Sequence, residues 1–227
     1  MLDHPLVDLI TVIRRSFEHA LLQRQAVEER FQVDVFLGDV SWETSYSLPG
    51  EAQPPRVRVD VSIDWPTWSQ TAYRSWSIGE SSEELPEVIV EVALRIQRLA
   101  GAPAREHLLG VLAAHSPPIG SGSLVRSSVT IEESLGSRDP GAPGNPPPPA
   151  GTAPGSSGSP RAGQAMARWA VEATYEGSLR LDEESLESSD RLQPAVDVLT
   201  RWIASTLIAL ADLPLEFLPA DPRTPAP

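Results

Sequence analysis

The feature that most constrains the fold is a strict alternation of apolar and polar residues just after residue 55. The apolar set is Val57, Val59, Val61, Ile63 and Trp65, and the polar set between them is Arg56, Arg58, Asp60, Ser62 and Asp64. Side chains of a strand point alternately to its two sides, so this pattern predicts a half-buried strand with one charged face. Pro66 ends the strand, since proline cannot donate to a central ladder. The chain therefore needs a sheet with a core on one side.

Other segments share the period of two. Residues 31–48 alternate with a change of parity at Gly38-Asp39, which predicts either a bulge or a two-residue hairpin turn. Residues 124–135 and 167–181 alternate as well, and 72–78 are compatible with one more strand. We expect these strands to pair antiparallel.

Helical spacing of apolar residues predicts helices over 5–30, 81–99 and 190–213, and a short helix over 106–115. The second of these starts with serines, acidic residues and Pro86, which suit a helix N-terminus, and Gly101 and Pro103 follow its end. The stretch 196–213 is the most apolar, but Asp197, Arg201 and Asp212 interrupt it. We interpret it as a buried helix rather than a membrane span.

These elements predict an α+β fold, with an antiparallel sheet and amphipathic helices packed on one face. "ESSEELP" at 80–86 and "ESSDRLQP" at 187–194 resemble each other. The chain can thus be divided into two αββα units, 1–103 and 104–215, although both stretches are also good helix caps. Residues 136–164 are rich in Pro and Gly and are predicted to be a disordered loop inside the second unit; 216–227 are predicted to fray.

Composition argues against several partners and sites. The net charge of −13 makes nucleic acid and anionic membranes poor partners. The absence of cysteine excludes disulfides, thiol catalysis and cysteine-ligated metals. The first residues carry Asp3 and Asp8 where a signal peptide would carry positive charge, so we expect a cytoplasmic protein. All 18 basic residues are arginine, a bias typical of GC-rich bacterial genomes.

No catalytic, cofactor or metal motif is present in the sequence. The four histidines, His4, His19, His107 and His115, lack metal-site spacing. Acidic clusters such as 182–184 fit solvated loops or helix starts better than a calcium loop or an acid–base pair. The sequence predicts no catalytic residues, no cofactor and no metal.

The stretch "WPTWSQTAYRSW", 65–76, is the densest group of aromatic residues. Trp65 continues the buried face of its strand and is predicted to be core, as are Trp169 and Trp202. The remaining residues are less constrained. If they form a turn and a returning strand, their side chains cannot all face inward. The candidate binding residues are Trp68, Tyr73, Arg74 and Trp76. They form either an interface or a group of side chains packed under an adjacent helix.

These observations predict a non-catalytic protein-binding or adaptor module, chaperone-like or immunity-like, whose partner is another protein or a second copy of the chain. The order of helices and strands is similar to that of small acidic secretion chaperones. The alternative is an enzyme or small-molecule binder with a pocket between sheet and helices. Trp68 or Trp76 would line that pocket, with Arg74 or a nearby Asp as its polar group.

Overall fold

A computed structural model of the chain describes residues 11–12, 15–16, 19, 27–36, 39–48, 54–80, 85–120, 122–135 and 167–219. The loop predicted to be disordered and the last part of the predicted tail lie outside this range, as does His4. The strands are β1 (Val27–Phe36), β2 (Asp39–Ser47), β3 (Val57–Trp65), β4 (Glu87–Leu99), β5 (Val125–Leu135) and β6 (Ala167–Arg180). The helices are α1 (Thr67–Ser77), α2 (Arg105–Val111), α3 (Glu183–Glu187) and α4 (Gln193–Ala211), with a 3-10 turn at Ser189–Arg191.

The strands form one six-stranded sheet in the order β1-β2-β3-β4-β6-β5, and all neighbours are antiparallel. β6 lies between β4 and β5, so β1 and β5 are the edges. Strands on either side of residue 103 are hydrogen-bonded in this one sheet, through β4 and β6. The predicted α+β class, with an antiparallel sheet, is confirmed.

The core lies between one face of the sheet and the helices. The whole apolar set of β3 is buried there, as the alternation predicts. Helix α4 contributes the buried residues Val196, Leu199, Ile203, Leu207 and Leu210. The ring of Trp202 on α4 meets that of Tyr175 on β6 edge-to-face, with centroids 5.0 Å apart. Burial of each such side chain contributes about 1.5–3 kcal/mol, so the contact between α4 and the sheet stabilises the fold.

On length and composition α4 would also qualify as a membrane span. In the described residues, however, the apolar side of α4 packs against the sheet, as predicted for a buried helix. Trp169 and Trp202 pack on this core but are only partly buried, whereas Trp65 is fully buried.

The helix predicted over 81–99 is wrong, because residues 87–99 form strand β4. Val88, Val90, Val92, Leu94 and Ile96 all point into the core. The segment is apolar enough on both sides to satisfy helical spacing as well. The segment has a neighbouring strand on each side, β3 and β6. Because both provide ladder hydrogen bonds along its length, the segment forms a strand.

Two further expectations are revised, and one that was left open is decided. The first helix was predicted to reach Arg30, but β1 already begins at Val27, and Thr11, Val12, Arg15 and Ser16 are helical. Phe36 pairs with Asp39, so the change of parity there reflects a hairpin. Residues 216–218 were predicted to fray, yet they pair with the end of β4 through bonds to Arg98 and Ala100.

The repeat suggested by the echo of "ESSEELP" and "ESSDRLQP" is not shown. The first stretch leads into strand β4, whereas the second leads into helix α4.

Candidate functional site

The aromatic stretch forms helix α1 rather than the predicted turn and returning strand. Ser69 fixes this helix at the end of the sheet. Its hydroxyl oxygen accepts a hydrogen bond from Trp65 Nε1 at 2.9 Å and one from the Glu87 backbone N–H at 2.8 Å, and it donates to the Glu87 carbonyl at 2.6 Å. The Gln70 amide donates to the Trp65 carbonyl at 2.9 Å. Helix α1 is therefore tied to both β3 and β4.

Two of the four candidate residues join a small aromatic cluster with Trp65. Tyr73 lies between Trp65 and Trp76, with ring centroids 5.8 and 5.9 Å away. Tyr73 and Trp76 are half-buried, so part of the stretch packs against the fold. Trp68 keeps 44% of its surface exposed.

Arg74 is exposed, and at about 100° per residue it points away from Trp76 on the helix. The structure thus does not bring the four residues to one spot. Their role as an interface stays a prediction.

A much larger surface is the sheet face opposite the core, called here the open face. It is formed by the polar positions of β2 to β6, and the described helices pack on the other side. Its carboxylates outnumber its guanidinium groups. The carboxylates are Glu43, Asp60, Asp64, Glu87, Glu91, Glu132, Glu172 and Glu176, and the arginines are Arg58, Arg95, Arg168 and Arg180.

Most of the open-face arginines are already paired. Arg58 donates to Asp60 from Nε at 2.7 Å and to Ser45 at 3.0 Å, and Ser45 donates to Asp60 at 2.6 Å. Arg95 Nε lies 2.6 Å from the Glu172 carboxylate and 3.4 Å from that of Asp60. These contacts neutralise the arginines and hold β2, β3, β4 and β6 together on this side.

One row of residues straight across the sheet has no such neutralisation. In the register, Glu43 lies opposite Ser62, Ser62 opposite Glu91, and Glu91 opposite Glu176. We call these four residues the acidic row. Within the described residues, no arginine forms an ion pair with Glu91, and the hydroxyl of Ser127 donates to Glu176 at 2.7 Å. The three carboxylates of the row therefore place negative charge on β2, β4 and β6, with the neutral Ser62 between them on β3.

The electrostatic effect is visible at Glu91. Desolvation, followed by repulsion from Glu176, Asp64 and Glu172, raises the pKa of Glu91 above its ordinary value, although Arg95 opposes the shift. Like charges directly opposite each other in a sheet are unfavourable. The arrangement thus lowers stability unless a cation approaches.

Two shallow cavities open on this face. The first, of about 270 Å³, is lined by three of the four residues of the acidic row, Glu43, Ser62 and Glu91, and by neighbouring ion-paired residues. The second, of about 250 Å³, adjoins it and is lined by Arg58, Arg95, Gln97, Glu132 and Glu172. The residues around the first cavity include Glu43, Ser45, Arg58, Asp60, Ser62, Glu91 and Arg95. Neither cavity is lined by the aromatic candidates of α1.

No group of three or more His, Asp or Glu side chains among the described residues could hold a metal ion. His19, His107 and His115 are exposed. No known protein family, no curated protein and no solved structure matches this chain.

Sequence reasoning found part of this surface and missed its centre. The charged side of β3 was predicted from its alternation. Glu91 was missed because its segment was assigned to a helix, and its opposition to Glu176 depends on the pairing of β4 with β6. The one available signal was the alternation of Val88, Val90 and Val92 around Glu91.

Proposed function

We propose that this protein is a non-catalytic protein-binding module that receives its partner on the open face of the sheet. The observation that carries the proposal is a polar sheet face across β2 to β6 that none of the described helices covers. Its cavities are shallow and open, which suits side chains of a partner better than an enclosed substrate.

The aromatic residues of α1 extend this proposal to the end of the sheet. Trp68 is exposed, and Leu85 and Ile89 on the neighbouring segment are also exposed. Exposed aromatic and aliphatic side chains next to a polar surface are typical of interface anchors. They give the partner a region of apolar contact beside the polar one.

The first test is affinity capture from a lysate of the source cells, with the tagged protein and three variants. Ser62→Trp places a bulky side chain in the middle of the open face, and aromatic residues are tolerated in strands. Ser205→Trp places the same side chain on the exposed side of α4 and is the matched control. Trp68→Ala/Trp76→Ala tests the aromatic helix.

We expect one protein retained in stoichiometric amount by the wild type and by Ser205→Trp, and lost with Ser62→Trp. Loss with Trp68→Ala/Trp76→Ala as well would extend the contact to α1. Retention of the partner by Ser62→Trp would contradict an interface on the open face. If the wild-type protein captures only itself, the proposal of a partner protein is wrong.

A further inference from the structure

We infer that the open face docks a cationic segment of a partner protein, with one arginine or lysine side chain seated in the first cavity between Glu43 and Glu91. This inference rests on the proposed function and specifies the chemistry of the partner.

The register places Glu91 opposite Glu176 rather than opposite an arginine, and the two arginines that also line the first cavity, Arg58 and Arg95, are paired with Asp60 and Glu172. Elsewhere between β4 and β6, opposite charges meet across the two strands: Arg95 lies opposite Glu172, and Glu87 lies opposite Arg180, with the charged groups of the latter pair 3.7 Å apart. At Glu91, by contrast, the same two strands place one carboxylate opposite another, that of Glu176. Since β4 and β6 are interior strands, these backbones cannot separate to relieve the repulsion. A cation bound from outside would relieve it.

The shape fits one cationic side chain. Glu43 and Glu91 flank Ser62 on the strands to either side of β3. With strands about 4.8 Å apart, their Cα atoms lie roughly 10 Å from each other. Glutamate side chains that extend from Cα atoms at that separation can both bond to one guanidinium or ammonium group placed between them. The serine at the midpoint leaves the space open, in a cavity of about 270 Å³.

The charge also decides against other occupants. A second copy placed with its own open face on this one would bring two acidic rows together, and like-charge contacts oppose association. Nucleic acids and anionic lipids are repelled for the same reason. The complementary occupant is a positively charged protein segment.

The absence of lysine from this chain gives a direct chemical test. A carbodiimide joins carboxylates to amines, so cross-links to a lysine peptide report which carboxylates of the chain the peptide contacts. The probe is a fluorescent nonalysine peptide. The row variant is Glu43→Gln/Glu91→Gln/Glu176→Gln, and the control variant, Glu106→Gln/Glu183→Gln/Glu184→Gln, removes the same charge from exposed helical positions.

We expect cross-links at Glu43, Glu91 or Glu176, and peptide affinity at least tenfold weaker for the row variant but within about twofold of wild type for the control. Equal losses in the two variants would mean that only net charge matters and would overturn the inference. Cross-links confined to other carboxylates would do the same.

The row variant in the lysate capture separates this inference from the proposed function. Loss of the captured partner with both the row variant and Ser62→Trp supports ionic docking. If Ser62→Trp removes the partner and the row variant retains it, the open face is the interface but the cationic contact is wrong. Sedimentation that shows self-association abolished by Ser62→Trp would make a second copy the occupant and overturn the inference.

Discussion

Glu91 and Glu176 lie directly opposite each other on β4 and β6, in the interior of a six-stranded sheet. Their neighbours along the same two strands pair an acid with an arginine, as at Arg95 and Glu172. An arginine opposite Glu91 would neutralise it in the same way, but Glu176 occupies that position. The repulsion between Glu91 and Glu176 should lower the stability of the isolated fold, and a bound cation would offset it.

Replacement of Glu91 by Gln should stabilise the protein at pH 7 by about 0.5 kcal/mol, because it removes repulsion between opposed carboxylates. The pKa of Glu91 is higher in the folded chain than its ordinary value of 4.5. The unfavourable contribution of the ionised group is thus fully present above the folded pKa and disappears as pH falls towards 4.5. Urea unfolding at pH 7 and pH 4.5 should show a gain that shrinks at the lower pH.

Glu132→Gln is the matched control for that change. Glu132 is an exposed residue of the same face, and it lies opposite Ala170 rather than an acid. A similar gain in both variants would show that net charge, and not the pair, is responsible.

Replacement of Arg95 by Met should raise the pKa of Glu91 further. Arg95 is the positive group that lowers this pKa, and its loss also leaves the Glu172 carboxylate without its partner at 2.6 Å. A carbon-detected NMR titration of the Glu91 carboxyl group measures the shift directly. Arg201→Met on the exposed side of α4 should leave the titration unchanged. A Glu91 pKa that falls or stays constant in Arg95→Met would contradict the assigned electrostatics.

Ser69→Ala should destabilise the fold by about 3 kcal/mol, because one buried hydroxyl serves three partners. Its removal leaves Trp65 Nε1 and both backbone groups of Glu87 without their hydrogen bonds, in a position where Ser69 is fully buried. Ser77→Ala, at the exposed end of the same helix, should change stability by less than about 0.5 kcal/mol. Equal thermal midpoints for the two variants would mean that Ser69 does not anchor α1.

Gly177→Ala should cost about 1–3 kcal/mol, because the position has no room for a methyl group. A Cβ atom there would lie 2.8 Å from Leu124 Cδ2 and 3.0 Å from the Ser123 carbonyl oxygen. The comparison variant is Gly110→Ala in α2, where nothing lies within 4 Å of the added atom. Chemical denaturation should show a lower midpoint for Gly177→Ala alone, and a normal midpoint would show that β5 and β6 can move apart here.

The sequence by itself determined the elements whose pattern fits one structure only. The alternation of β3 predicted both its buried side and its charged side, because strict period two cannot be satisfied by a helix. The helix near the C-terminus was predicted equally well, since Val196, Leu199, Ile203 and Leu207 recur at helical spacing within its 19 residues. Together with the other alternating segments, these two elements predicted the α+β class.

Only the tertiary structure decided the segments that fit two patterns. Residues 87–99 are apolar enough for a helix or a buried strand, and ladder bonds from β3 and β6 select the strand. The aromatic stretch has the polar residues Ser69 and Gln70 where a core strand would be apolar, and their hydrogen bonds to Trp65 and Glu87 select a helix. The acidic row depends on the same long-range pairing. Which residues face each other across a sheet is set by partners distant in the chain, so no local pattern contains that information.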